Sequence, residues 1–188
     1  MPQTKILVDS TCYFRLAQNV HPLLGVPFGS ASYALYAHEA LVAEFQRKPS
    51  FRSKFDWFLH RDYVENRKYA LTISRKDRAA IAATKTFIEG EAQANGLGVS
   101  PVDVAILATA LELRIGFCTD DQALCALAKA YDVEARTSLQ VLKLMLDEKR
   151  IDIARIERVV AQWHYDDDLP ANFHVQYRQL FGRIPPKE

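Results

Sequence analysis

At 188 residues the chain is long enough for one domain with a real core and a small appendage, and its 49% apolar and 25% charged content is ordinary for a soluble globular protein. A net charge of +1 names no partner by itself, and three cysteines without a CxxC spacing (Cys12, Cys118 and Cys125) exclude a disulfide scaffold and read as buried free thiols in a reducing compartment. No apolar run of about 18 residues could span a membrane, and Ile6-Leu7-Val8, ended by Asp9, is too short for a signal peptide, so the expected location is the cytoplasm with no membrane partner.

Lys5-Ile6-Leu7-Val8-Asp9 is a continuously apolar run ending in a carboxylate, the pattern of a central parallel strand buried on both faces. Ser10 or Thr11 then offers an N-cap to a helix at residues 13–18. Asp9 thus stands at the carboxyl end of the strand, either as a capping aspartate or as a ligand-facing acid. Pro22, Gly25, Pro27 and Gly29 mark a loop. Residues 33–37 predict a strand and residues 40–45 a helix. Glu39 and Glu44 lie at this junction, Glu44 between Ala43 and Phe45, Glu39 where a first-turn acid would also suit the helix dipole.

Residues 48–68 interleave aromatics with cations. Spacings of three and four put Phe51, Phe55, Phe58 and Leu59 on one helical face, with Arg52 and Lys54 off it. From Gln46 to Lys85 eleven Lys/Arg stand against four Asp/Glu, which reads either as a solvated helical face or as a surface for a phosphate backbone. Residues 69–73 predict a strand or strand edge. Ser74 caps a long helix at 75–94 with Ala79, Ile81, Ala82, Ala83, Phe87 and Ile88 on its apolar side, and Asn95-Gly96 ends it.

Ser100, Pro101 and Asp103 form a strong helix start: an N-cap, a proline at the first helical position and a carboxylate toward the positive end of the dipole. The almost wholly apolar run to Leu113 suits a helix packed on a sheet. Residues 114–118 predict a strand, and Thr119-Asp120-Asp121 lies at its carboxyl end, where open α/β sheets bind ligands. A helix at 122–131, a strand at 132–136, a helix at 139–149 capped by Ser138, and helices at 153–163 and 172–181 complete the chain. Asp166-Asp167-Asp168 reads as a solvated linker. Strands alternating with helices argue for a three-layer α/β/α fold with a central parallel sheet. Residues 1–138 would form the core domain, with a helical extension at 139–188 packed on it.

In that architecture Asp9, Glu44, Asp103 and Asp121 could all lie toward the carboxyl end of the sheet. Four carboxylates in one crevice repel unless a cation neutralises them, and oxygen ligands suit Mg²⁺ or Mn²⁺. Such an ion can activate water for phosphodiester hydrolysis, and the Thr119 hydroxyl could orient a ligand or water. No GxxxxGK[ST], GxSxG or GxGxxG competes, and the five histidines lack ligand spacing.

The segments ILVDS, VAEF around Glu44, DVAILATALEL from Asp103 and the TDD turn occur in an order and spacing that resemble a PIN-domain nuclease, the fold of VapC-type toxins and related ribonucleases, over residues 5–136. The resemblance implies a metal-dependent endoribonuclease acting on RNA. It implies that Asp9, Glu44, Asp103 and Asp121 hold Mg²⁺ or Mn²⁺, with Thr119 as the turn hydroxyl. Asp120 is the second choice in the turn, and Glu39 the runner-up for the second acid. Arg47, Lys48, Arg52 and Lys54, within the basic stretch that runs to Arg78, would hold the RNA. An antitoxin or a second copy of the chain is the further partner the resemblance suggests. The C-terminal helices and the large basic, aromatic segment exceed the compact toxin pattern. Two other readings stand beside it: a catalytically silent nucleic-acid-binding or scaffold module with the same fold, and a phospho-acceptor domain centred on Asp9. The last lacks the expected lysine and second acidic pair.

Overall fold

The computed structural model describes residues 3–186. Four parallel strands, β1 (Thr4–Val8), β2 (Tyr33–Ala37), β3 (Gly116–Cys118) and β4 (Ala135–Arg136), pair in the order β2-β1-β3-β4. Alternate residues of β1 face opposite layers. Ile6 and Val8 join one core and Leu7 the other. The first layer holds α1 (Ser10–Ala17), α8 (Ser138–Asp147), α9 (Ile153–Tyr165) and α10 (Phe173–Phe181). The second holds α5 (Arg75–Ala94), α6 (Pro101–Leu113) and α7 (Gln122–Ala130). This is the three-layer α/β/α architecture with a central parallel sheet. No described helix is long and apolar enough to cross a membrane.

Local rules move several expected boundaries. Asp9, rather than Ser10 or Thr11, is the N-cap of α1. The basic, aromatic stretch is three short pieces, not one helix: after α2 (Leu41–Arg47), Lys48 is extended ahead of Pro49, as a residue before proline prefers. Then come α3 (Pro49–Lys54), a 3₁₀ turn (Asp56–Leu59) and α4 (Arg61–Asn66). The breaks let Phe45, Phe51, Phe55, Trp57 and Phe58 gather around Phe14 of α1, Phe55 stacked on it at 4.5 Å. Leu59 is left 64% exposed, off the face assigned to it.

Residues 69–73 form no strand. The Tyr69 and Ala70 N–H groups bond to the carbonyls of Asn66 and Lys68 in a local turn, so they are unavailable to a sheet. Tyr69 packs instead on Gly25, whose φ of +70° and closeness to the ring leave no room for a Cβ. On α5 the buried stripe runs through Ile81, Ile88 and Ala92, and Phe87, one position off it, is exposed. Arg114 adopts a left-handed cap that closes α6, which delays β3 to Gly116. Thr137, paired with Gln140 in a capping box, starts α8, and Ser138 is freed for another task.

The C-terminal helices share the core of α1. Leu142 and Met145 of α8, Ile156 and Val160 of α9, and Tyr177 of α10 are sealed in it. Trp163 of α9 is sealed there too, its indole N–H donating to the Arg15 carbonyl at 2.7 Å. Cys12 and Cys118 are buried free thiols, and Cys125 is partly exposed.

Candidate site at the carboxyl edge of the sheet

The strand register builds the site's rim. Val8 pairs with both Ala37 and Cys118, so three adjacent strands end flush. The next residue on each is polar: Asp9, His38 and Thr119. Their backbones continue the ladder: the Asp9 N–H donates to the Cys118 carbonyl at 3.1 Å and the Thr119 N–H to that of Arg136 at 2.9 Å.

Asp9 is 6% exposed. Its Oδ1 accepts the Cys12 N–H at 2.6 Å, which caps α1. Burial pushes its carboxyl up to about 6, against the pull of the Thr119 hydroxyl and the Cys12 N–H, and nearby Asp120 adds to the rise. Among the described residues no cation pairs with Asp9. Beside it the Ser10 hydroxyl donates to Glu44 Oε2, so α2 is tied to the start of α1 and Glu44 is drawn to the Asp9 side of the rim.

The two aspartates of the turn have different tasks. Asp120 accepts Arg15 Nη1 at 2.6 Å, the Ser138 N–H at 2.9 Å and the Ser138 hydroxyl at 2.5 Å, and the Cys12 thiol lies 3.5 Å away. It therefore locks α1 to the start of α8. Arg15 completes the lock by reaching Asp168 at 3.0 Å, so that residue belongs to a partly buried charge network and not to a solvated linker. Asp121 is exposed; its Oδ1 caps α7 through the Leu124 N–H at 2.7 Å, and its own N–H donates to the Thr119 hydroxyl at 3.2 Å. Asp103 closes a capping box with Ser100, accepting the Ser100 N–H at 3.1 Å through Oδ2. Glu39 is exposed and paired with Arg78 at 3.2 Å.

The structure thus brings Asp9, Thr119 and Asp120 together and reaches Glu44 through Ser10, while Asp103 and Asp121 each hold the start of their own helix. Among the described residues no three acidic, histidine or cysteine side chains converge as a metal-ligand group. The fit to a hard cation is nonetheless chemical: the donors are oxygens, and buried Asp9 lacks a compensating charge. Each capping bond of Asp9, Asp103 and Asp121 engages one carboxylate oxygen and leaves a second.

His38 is the rim residue that spacing rules for metal ligands pass over. It is 9% exposed, and its Nδ1 accepts the Ala40 N–H at 3.2 Å. Burial lowers its pKa, and the Glu39 and Glu44 carboxylates pull it back up. A signal was present: His38 ends the apolar run YALYA as Asp9 ends ILV, so matching strand ends would have placed both on one rim. A cavity of about 320 Å³ opens beside it, with Arg78 and Lys85 of α5 and Thr109 of α6 in its wall.

Arg47, Lys48, Arg52 and Lys54 are all exposed on α2, α3 and the link between them. Arg52 donates to the Gln46 carbonyl at 3.1 Å, Lys54 to that of Asp166 at 2.8 Å, and Lys48 sits over the Phe51 ring at 4.7 Å. None of the four forms an ion pair among the described residues. No family model, curated protein or solved structure matches the chain.

Proposed function

We propose that the protein is a metal-dependent endoribonuclease of PIN type. One observation supports this reading above the others: a buried aspartate at the end of the central strand, next to Thr119 and to the Ser10–Glu44 contact, has no cation to balance it among the described residues. A carboxylate so placed is costly unless something positive binds there. Asp9, Glu44, Asp103 and Asp121 are the residues that would hold Mg²⁺ or Mn²⁺, and the ion would supply an activated water for phosphodiester hydrolysis. Thr119 holds the turn in place through the Asp121 N–H. Arg47, Lys48, Arg52 and Lys54 offer uncompensated charge for the RNA backbone. A role as the toxin of a toxin–antitoxin pair is the narrower form of this proposal; relief of growth arrest by a co-expressed neighbouring gene product tests it.

The direct test is cleavage of single-stranded RNA by the purified protein with Mn²⁺, with EDTA, and with Asp9→Asn. Loss of cleavage in both controls is the expected result; activity that survives both overturns the mechanism. A second reading is supported by the capping work of Asp103 and Asp121: a catalytically silent RNA-binding or scaffold module. It predicts salt-dependent RNA binding that needs no metal and gives no turnover.

A further inference from the structure

At the opposite edge of the sheet lies a second chemistry. Helices that follow parallel strands run back toward the sheet's amino end, so α1 and α8 finish there and α9 begins there. The loop after α1, the end of α8 and the start of α9 line an open groove of about 750 Å³. Lys149, Arg150, Arg155 and Arg158 line it, with His21 on its wall. The carboxylate among them, Asp152, is committed as the N-cap of α9, its Oδ1 accepting the Arg155 N–H at 2.7 Å. Among the described residues none of the four cations forms an ion pair.

Arg150 anchors the pocket. Its Nη2 donates to the carbonyls of Pro22 at 2.7 Å and Leu23 at 3.1 Å, and its guanidinium lies 4.9 Å from the centre of the Phe28 ring. Nη1 is sealed from solvent without a hydrogen-bond partner among the described residues. Burial pushes its pKa down to about 10, with no carboxylate to offset it. Arg155 is held by the bond from its Nη1 to the Asn19 carbonyl at 2.8 Å. Arg150 and Arg155, held in this way, stand beside Arg158 and Lys149, and guanidinium forks suit an oxyanion such as phosphate better than a halide. The start of α9, a helix of 13 residues, adds its dipole.

The rest of the wall is apolar: Val20, Pro22, Val26, Ile151 and Ile153. An inorganic anion has no use for such a wall, whereas the apolar or planar body of an organic phosphate can lie along it. We infer that this pocket binds a phosphate-bearing small molecule with an apolar or planar body, the chemical class of the nucleoside monophosphates. The inference is independent of the nuclease reading and needs neither metal nor turnover.

The test is calorimetric titration of the full chain, without divalent metal, with AMP, adenosine and inorganic phosphate in turn. AMP is expected to bind at least about tenfold more tightly than either of the others, a difference of about 1.4 kcal/mol. Its affinity should fall with added salt. The double variant Arg155→Gln, Arg158→Gln should weaken AMP at least about tenfold, while its thermal melt and its RNA cleavage match the unmodified chain. Absence of AMP binding overturns the inference, as does equal affinity for AMP and adenosine, or an unchanged affinity in the double variant. Tighter binding of a short single-stranded RNA than of AMP, lost in the same variant, also overturns it and marks the face as a polynucleotide surface.

Discussion

The two edges of the sheet carry opposite and unequally balanced charge. Among the described residues Asp9, buried at the carboxyl edge, pairs with no cation, and Arg150, partly buried at the amino edge, pairs with no anion. A control stands beside Asp9 at the carboxyl edge: Arg15 and Asp120, 9% and 6% exposed at their side chains, which satisfy one another directly. The comparison separates a charge pair that locks two helices together from two charges left unpaired among the described residues.

The largest effect is expected where the charges are paired. Arg15→Met leaves Asp120 buried against Ser138 without its cation and should cost about 3–5 kcal/mol in urea unfolding at neutral pH. Adding Asp120→Asn to it should recover much of that loss, because the stranded charge is gone. A small effect from Arg15→Met alone would erase the distinction between the pair and the two lone charges.

Asp9→Asn should do the reverse. Asparagine caps a helix about as well as aspartate, so the substitution removes mainly the burial cost. With a folded pKa of about 6 against 3.8, and about 1.36 kcal/mol per unit, the gain is on the order of 3 kcal/mol above pH 6. The sign follows from the raised pKa: the stability that protonated Asp9 contributes is complete below pH 3.8 and gone once pH has risen through about 6. Melting temperature against pH should slope downward over that window in the unmodified chain and flatten in the variant. Equal slopes would show that Asp9 is balanced by its neighbours after all.

Metal should close the same gap from the other side. Mn²⁺ at one hundred times its dissociation constant should stabilise the unmodified protein by about 2.7 kcal/mol and leave Asp9→Asn unmoved, read as a shift in melting temperature. The smallest effect expected is that of Ser100→Ala, about 1 kcal/mol through loss of the capping box on α6. The Asp103 carboxylate accepts the backbone N–H of residue 100, which that change keeps, so Mn²⁺ affinity should stay intact. Unchanged Mn²⁺ affinity in Asp103→Ala would assign Asp103 to the helix alone.

Much of the architecture was legible because the apolar runs are long and well capped. ILV, YALYA and the Ser100–Leu113 segment each announce their element, and the helix–strand alternation yields the parallel sheet. The errors cluster where one backbone position decides the outcome. Phe55, at φ −126° and ψ 51°, breaks the stretch whose spacing suggests one helical face, and a left-handed Arg114 shortens β3. The turn at 69–70 consumes N–H groups that a strand would need. In the site, the placement of Asp9 at a strand end was within reach of motif and topology; the tie of Glu44 to Ser10 was not. The opposite commitments of Asp120 and Asp121 were not, because they depend on Arg15 and Ser138, which lie 105 and 18 residues from Asp120. Nor was the amino-edge pocket, whose cations come from one short stretch but whose walls come from the loop after α1.

The placement of the two indoles has a spectroscopic consequence. Trp57 and Trp163 are the chain's only tryptophans, and both are buried against α1, one beside the Phe14 ring and the other on the Arg15 carbonyl. Their combined emission is therefore a label-free optical readout of one helix, the helix whose first turn is capped by Asp9. A ligand that tightens or loosens that turn can be followed by intrinsic fluorescence in real time, without a probe attached to either edge of the sheet.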